Sequence, residues 1–166
     1  MINVNIVGKR MASVYQVAAN LGYRTLPLKY DTGAKYSVIS AGMFDDTLTN
    51  EGLDRIKDYC EDHSKHKERF VSASGHTFDG YLVTARDVKI GKTHLQEFRY
   101  FLVVENQRDI ALLGFDFIDN CKGTFEPHSD IEINEFDETS YWEGTAGAMN
   151  NDEVIAFIDS LSNEQE

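Results

Sequence analysis

The sequence is poor in cysteine and has no long apolar run. Cys60 and Cys121 are the only cysteines among its 166 residues, too few for a disulfide framework, so we expect both to be free thiols. No apolar stretch approaches the roughly 20 residues that a membrane span needs. Residues 1–5 also lack the basic start and apolar stretch of a signal peptide. Together these absences favour a cytoplasmic location without a membrane partner.

Basic residues are missing from the C-terminal part of the chain. Residues 123–166 hold 12 Asp and Glu and no Lys or Arg. The whole chain has 28 acidic and 16 basic residues, so residues 1–122 carry 16 of each. The body is therefore neutral and the tail carries the net charge of −12. Because binding to phosphates needs a basic face, we expect no nucleic acid partner.

The apolar pattern is mostly that of short strands. A helix is predicted over 11–21, ended by Gly22, and a charged helical segment within 44–69. A hairpin is predicted over 70–84, turning at Ser74-Gly75. The acidic segment 134–166 contains a predicted amphipathic helix over 152–161, and 115–120 reads as a short helix. The predicted strands cover 2–7, 25–30, 36–39, 88–92, 98–104, 110–114, 123–126 and 131–133.

Two motifs stand out against this pattern. Asp31-Thr32-Gly33-Ala34 directly follows a predicted strand, and 111–118 reads Ala-Leu-Leu-Gly-Phe-Asp-Phe-Ile. In these motifs the sequence resembles the retroviral-type aspartic peptidases, the retropepsins, over about residues 24–126. An Asp-Thr-Gly tripeptide alone also suits a surface turn, but the strand before it and the second motif favour the functional interpretation.

The resemblance implies a fold and a set of site residues. The fold expected is mainly β, a single-domain retropepsin-like acid protease β-barrel with short helices and an acidic C-terminal tail. The peptidase domain is predicted over 1–133, with a helical insert at about 44–69, and the tail over 134–166. The implied site residues are the catalytic Asp31, its loop (Thr32, Gly33, Ala34), a flap (Ser74, Gly75, His76) and a second signature (Leu113, Gly114, Asp116).

The chemistry of such a site explains the residue types. Two carboxylates held close together share a proton, so one acts as base towards water and the other as acid. Gly33 lets the backbone approach the carboxylate and donate an N–H, and the resemblance implies that the Thr32 hydroxyl crosses a dimer interface. Only one Asp-Thr-Gly is present, so we expect a homodimer that contributes one Asp31 per subunit, with a peptide or protein substrate and no cofactor.

Some alternatives remain open at this point. A catalytically silent dimer could use the same cleft to bind peptides. Cys60, His63 and His66 are types that bind zinc, but they fan around a helix and we favour no metal. Lys29 interrupts the otherwise apolar strand before Asp31, where it either points to solvent or perturbs the site. His76 at the hairpin tip either contacts substrate or is merely exposed.

Overall fold

The computed structural model describes residues 2–11, 14–72, 74–104, 109–124, 129–142 and 147–164. Strands make up 49% of the structure, and the helices are few and short. The chain divides into two compact units. The first unit comprises Met1–Ser37, Arg86–Phe98 and Ala111–Gly144, and the second comprises Val38–Ala85, Arg99–Ile110 and Thr145–Glu166. The predicted mainly β class is confirmed.

The secondary structure elements of the described residues are as follows. The helices are α1 (Asn50–His63), α2 (Phe115–Ile118), α3 (Glu138–Trp142) and α4 (Asn151–Glu164), with a 3-10 turn at Ala41–Met43. The strands are β1 (Ile2–Met11), β2 (Val14–Asn20), β3 (Thr25–Tyr30), β4 (Val38–Ser40), β5 (Lys67–Val71), β6 (Thr77–Ile90), β7 (Thr93–Val103), β8 (Ala111–Leu113), β9 (Cys121–Thr124), β10 (Ile131–Phe136) and β11 (Met149–Asn150).

The first unit contains a sheet in the order β9-β10-β1-β2-β3-β8. All neighbouring strands in it are antiparallel except β3 and β8, which run parallel with Tyr30 opposite Leu113. Its core includes an aromatic cluster in which Phe117 stacks on Phe136 at 4.6 Å and meets Tyr141 edge-on at 5.5 Å. All three rings are fully buried. Burial of Phe117, rather than helix length, therefore stabilises the short α2.

The helix predicted over 11–21 is wrong, because this segment contains the strand β2. Val17, Ala19 and Leu21 are buried in alternation, which is the period of a strand. β2 pairs with β1 on one side and with β3 on the other. These pairings override the weak helical spacing.

The second unit contains β11, residues 77–85 of β6, residues 99–103 of β7, and β4, in that order, with β5 also paired to β6. Helix α1 begins at an N-cap, where the Thr49 side chain accepts a hydrogen bond from the Gly52 N–H. Its buried stripe is Gly52, Ile56 and Cys60, as expected for an amphipathic helix on a solvated segment. Helix α4 begins at the buried Asn151, whose Oδ1 accepts a hydrogen bond from the Tyr100 hydroxyl at 2.5 Å.

Most of the predicted elements are present, with shifted ends. The strand over 25–30, the hairpin, the short helix at 115 and the helix over 152–161 correspond to β3, β5–β6, α2 and α4. The charged segment 44–69 contains α1, but its last residues begin β5. Residues 125–126 lie outside the described residues. The division at 133 stays a prediction, and β10 continues across it to Phe136. Among the described residues, no helix is long and apolar enough to cross a membrane.

Candidate active site

Asp31 stands at the first position after β3, where the chain leaves the sheet. Its backbone N–H donates to the Leu113 carbonyl oxygen at 3.0 Å, which extends the parallel pairing of β3 with β8 by one residue. The chain then turns, and the Ala34 N–H donates to the Asp31 carbonyl oxygen at 3.3 Å. Asp31 is half-buried, whereas Thr32 and Gly33 are exposed. The strand thus presents the carboxylate at the start of a short turn.

The Asp31 carboxylate is oriented by its own loop. The Gly33 N–H donates to Asp31 Oδ1 at 3.0 Å. A Cβ atom at position 33 would lie 3.3 Å from the same oxygen, which is a tight contact for a side chain. Glycine therefore allows the amide to approach the carboxylate closely. A hydrogen bond from an N–H stabilises the ionised form of a carboxylate.

The second signature is bonded directly to the loop that follows Asp31. The Phe115 N–H, at the start of α2, donates to the Ala34 carbonyl oxygen at 2.7 Å, and the Asp116 N–H donates to the Lys35 carbonyl oxygen at 3.1 Å. A Cβ atom on Gly114 would lie 2.3 Å from the Tyr36 carbonyl group, so only glycine fits there. The structure thus brings the predicted residues 31–34 and 113–116 together within the first unit.

Asp116 and Ser37 form a hydrogen-bonded cluster behind this loop. Asp116 Oδ1 accepts from the Ser37 N–H at 3.0 Å, from Ser37 Oγ at 2.9 Å and from the Phe117 N–H at 2.8 Å. Ser37 Oγ in turn accepts from the Gly114 N–H at 3.0 Å. Ser37 is fully buried, so the cluster ties the chain after the Asp-Thr-Gly turn to both ends of the second signature.

Sequence reasoning missed the part played by Ser37. This residue lay within the strand predicted over 36–39 and was given no role. The available signal was a small polar residue next to the apolar pair Val38-Ile39, since buried polar groups need partners. The sequence could not identify the partner as Asp116. Lys29, in contrast, is exposed, so its position beside the motif does not bury a charge in β3.

The predicted flap is the β5–β6 hairpin of the second unit, with Val71 opposite Thr77. At its tip the Gly75 N–H donates to the Ser72 carbonyl oxygen at 2.9 Å, and Gly75 has a φ of 86°. A Cβ atom on Gly75 would meet nothing within 4 Å. Ser74 and His76 are exposed beside it, and Ala73 lies outside the described residues. The tip is an open turn that depends on glycine for its backbone angle.

Aromatic rings support the hairpin below its tip. Phe70 stacks on Phe78 across the two strands at 5.7 Å and meets Phe101 edge-on at 5.7 Å. A Cβ atom on Gly80 would lie 2.6 Å from the Phe70 ring, so the glycine makes room for this contact. The strands are thus packed at their base, while a Cβ at Gly75 would meet nothing within 4 Å.

The three candidate zinc ligands have surroundings that differ from those of a metal site. Burial raises the pKa of the Cys60 thiol to about 12, which opposes the thiolate that a metal requires. His63 Nδ1 lies 2.8 Å from the Tyr59 carbonyl oxygen, and His66 Nε2 lies 3.2 Å from Glu68 Oε1. In the part of the chain that the structure describes, no three His, Cys, Asp or Glu residues are grouped to hold a metal ion.

Comparison with known proteins supports the fold alone. No family model matches the sequence, and no curated protein matches it significantly. Among solved structures, the chain is similar to a retropepsin-like aspartic protease from Rickettsia conorii, with a TM-score of 0.52 and 13% sequence identity. The alignment covers 80% of this chain and 98% of that one. The expected retropepsin-like fold is therefore confirmed.

Proposed function

We propose that this chain is an aspartic endopeptidase that acts as a homodimer with one Asp31 carboxylate from each subunit. The observation that supports it most is the setting of Asp31. Its carboxylate follows the end of β3, accepts the Gly33 N–H, and lies in a loop bonded to the second signature. This arrangement occurs in a chain whose fold is similar to that of a retropepsin-like aspartic protease.

The proposed mechanism uses the shared proton of the two carboxylates. Two like charges close together do not both ionise readily, so one carboxylate stays protonated while the other is ionised. The ionised one takes a proton from water as the water oxygen attacks the peptide carbonyl carbon, and the protonated one donates to the carbonyl oxygen. The carboxyl group that took the proton from water then gives it to the leaving nitrogen as the C–N bond breaks, and the other carboxylate takes a hydroxyl proton of the intermediate, so the pair again shares one proton. No cofactor is needed for these reaction steps.

The dimer follows from the count of motifs. The sequence has one Asp-Thr-Gly, and the mechanism needs two carboxylates. A two-fold axis beside the loop would supply the second Asp31 from a partner copy. Thr32 and Gly33 are exposed in the single chain, which leaves this turn open to such a contact. The two cysteines are both free thiols, as fits the proposed cytoplasmic location.

The proposed substrate is an extended peptide covered by the hairpin tip. A lid needs a segment that can change its backbone angles, and an exposed glycine turn on packed strands meets this requirement. The exposed His76 and Ser74 would then flank the bound peptide. This assignment of the hairpin as a flap rests on the resemblance and on the open turn at Gly75.

The test of the function is cleavage of a peptide library with and without a statine-type inhibitor. We expect cleavage that the inhibitor blocks. Asp31→Asn should leave folding nearly intact and lower turnover by several orders of magnitude. Asp46→Asn, which changes an exposed carboxylate of the second unit, is the matched control and should cleave normally. Binding of peptides without cleavage would favour the silent peptide-binding dimer, and an active Asp31→Asn variant would refute the site.

The test of the dimer is activity measured alongside sedimentation over a concentration series. Specific activity should follow the dimer content, because a monomer carries one carboxylate and no shared proton. Excess Asp31→Asn chain should inhibit the wild type by forming heterodimers. Thr32→Ala should weaken association. A fully active monomer would remove the shared-carboxylate mechanism.

A further inference from the structure

A concave site lies within the first unit, on one face of β1, β2 and β3. Its volume is about 370 Å³, within the range of pockets that bind small molecules. Four apolar side chains line it, those of Val7, Met11, Ala18 and Pro27. Met11 is 54% exposed, so its side chain is accessible at the edge of the cavity.

Strand pairing explains why the sheet is hollow here. Ala18 is opposite Pro27, so two compact side chains share one cross-strand row. In the next row on the same face, Gln16 lies between Lys9 and Lys29. Side chains that are directly paired point to the same face. A row of long side chains therefore stands beside a row of short ones, and the difference in length leaves the cavity.

The charged side chains that line the cavity have one sign. Among the described residues, Lys9 and Lys92 line it, and no Asp or Glu does. Lys29 belongs to the same cross-strand row as Lys9. Among the described residues these three ammonium groups have no ion-pair partner. Two acidic residues lie beside this part of β1: Glu132 is opposite Val7, and Asp130 Oδ1 accepts a hydrogen bond from the Arg10 N–H. Neither of them lines the cavity.

We propose that this cavity binds an anionic amphiphile, a carboxylate attached to a short aliphatic body. The aliphatic part would lie against Val7, Ala18 and Pro27, where burial of apolar surface is favourable. The carboxylate would lie at the ammonium groups of Lys9 and Lys92, which have no ion-pair partner among the residues that the structure describes. The chain has a net charge of −12, which repels anions in general. The ammonium groups at this cavity are a local excess of positive charge, and this excess is the reason for proposing an anionic ligand.

The first experiment compares three probes on the full chain by titration calorimetry. Decanoate should bind saturably below its micellar range. Decanol, with the same aliphatic body, and decyltrimethylammonium, with the opposite charge, should bind at least threefold more weakly. Added salt should weaken the binding of decanoate and leave the binding of decanol unchanged. In NMR spectra, decanoate should shift the methyl signals of Met11 and Ala18. Equal binding of decanoate and decanol, or no saturable binding, overturns the proposal.

Two variants locate the site. The double change Lys9→Gln with Lys92→Gln should weaken decanoate roughly three- to tenfold, as expected for the loss of two exposed ion pairs. Lys57→Gln on α1 is the control and should have no effect. Ala18→Phe should fill the cavity and abolish binding, with folding checked by circular dichroism. If the double variant binds decanoate normally, the proposal is wrong. The proposal is also wrong if the double variant alters the dimer content in sedimentation while decanoate does not alter the dimer content of the wild type. The face would then be a self-association surface.

Discussion

Loss of the Ser37 hydroxyl should destabilise the protein more than loss of other buried serines. In Ser37→Ala, Asp116 Oδ1 loses a donor at 2.9 Å and the Gly114 N–H loses its acceptor at 3.0 Å. A hydrogen bond to a charged group contributes roughly 1.5–3 kcal/mol and a buried amide without a partner costs roughly 1–3 kcal/mol. Allowing for relaxation, we expect a loss of about 3 kcal/mol in the free energy of unfolding. This corresponds to a decrease in Tm of roughly 6–12 °C for a chain of this size.

The matched control is Ser40→Ala. Ser40 is also buried, at 2% exposure, and its Oγ accepts one neutral hydrogen bond, from the Ile110 N–H at 3.0 Å. Urea unfolding of both variants therefore isolates the bond from Ser37 to the carboxylate, and Ser37→Ala should lose about 1.5 kcal/mol more than Ser40→Ala. If the two variants lose the same stability, the Asp116 cluster does not hold the loop as we argue.

Two further predictions concern the hairpin and the α1 surface. Gly75→Val should lower turnover far more than stability. Valine is strained at a φ of 86°, but this strain falls on an open tip where a Cβ meets nothing within 4 Å. Equal losses in kcat and Tm would show a merely structural turn. The hydrogen bond from the Tyr81 hydroxyl, opposed by desolvation and aided by Lys67, lowers the pKa of Glu61. The contribution of ionised Glu61 to the free energy of unfolding is thus present above the unfolded pKa of about 4.3. It is lost as the pH falls through the pKa of the folded state. Urea unfolding between about pH 6 and pH 3 should therefore show a weaker pH dependence for Glu61→Gln than for the Glu51→Gln control.

The elements of the site were predictable where local sequence determines them. The strand before Asp31 ends with an Asp-Thr-Gly turn, and Gly114 follows an apolar triplet, so both signatures could be located from their own residues. Their contact through the hydrogen bond from the Phe115 N–H to the Ala34 carbonyl oxygen was not predicted, because it joins residues far apart in the sequence. The bond between Ser37 and Asp116 joins positions 79 residues apart, and no local pattern encodes such a pairing.

The wrong helix over 11–21 has a physical explanation of the same kind. Met11, Val14 and Ala18 fit one face of a helix, and Val17, Ala19 and Leu21 fit one face of a strand. A short segment can satisfy both periods, so its own residues do not decide between them. The decision comes from β1 and β3, which pair with both edges of β2. The cavity on that sheet was unpredictable for the same reason, since it depends on which residues face each other across strands.

Asp116 is the carboxylate that could be mistaken for the second member of the catalytic pair. Its Oδ1 accepts three hydrogen bonds from Ser37 and the Phe117 N–H, so this oxygen is engaged in holding the chain. Asp116→Asn keeps an acceptor oxygen but loses the charge, which roughly halves the strength of such bonds. We therefore expect a less stable protein whose folded fraction retains its turnover and both limbs of its pH–rate profile, whereas Asp31→Asn removes turnover. Loss of one limb in Asp116→Asn would make Asp116 the partner of Asp31 and end the argument that the second carboxylate comes from another copy of the chain.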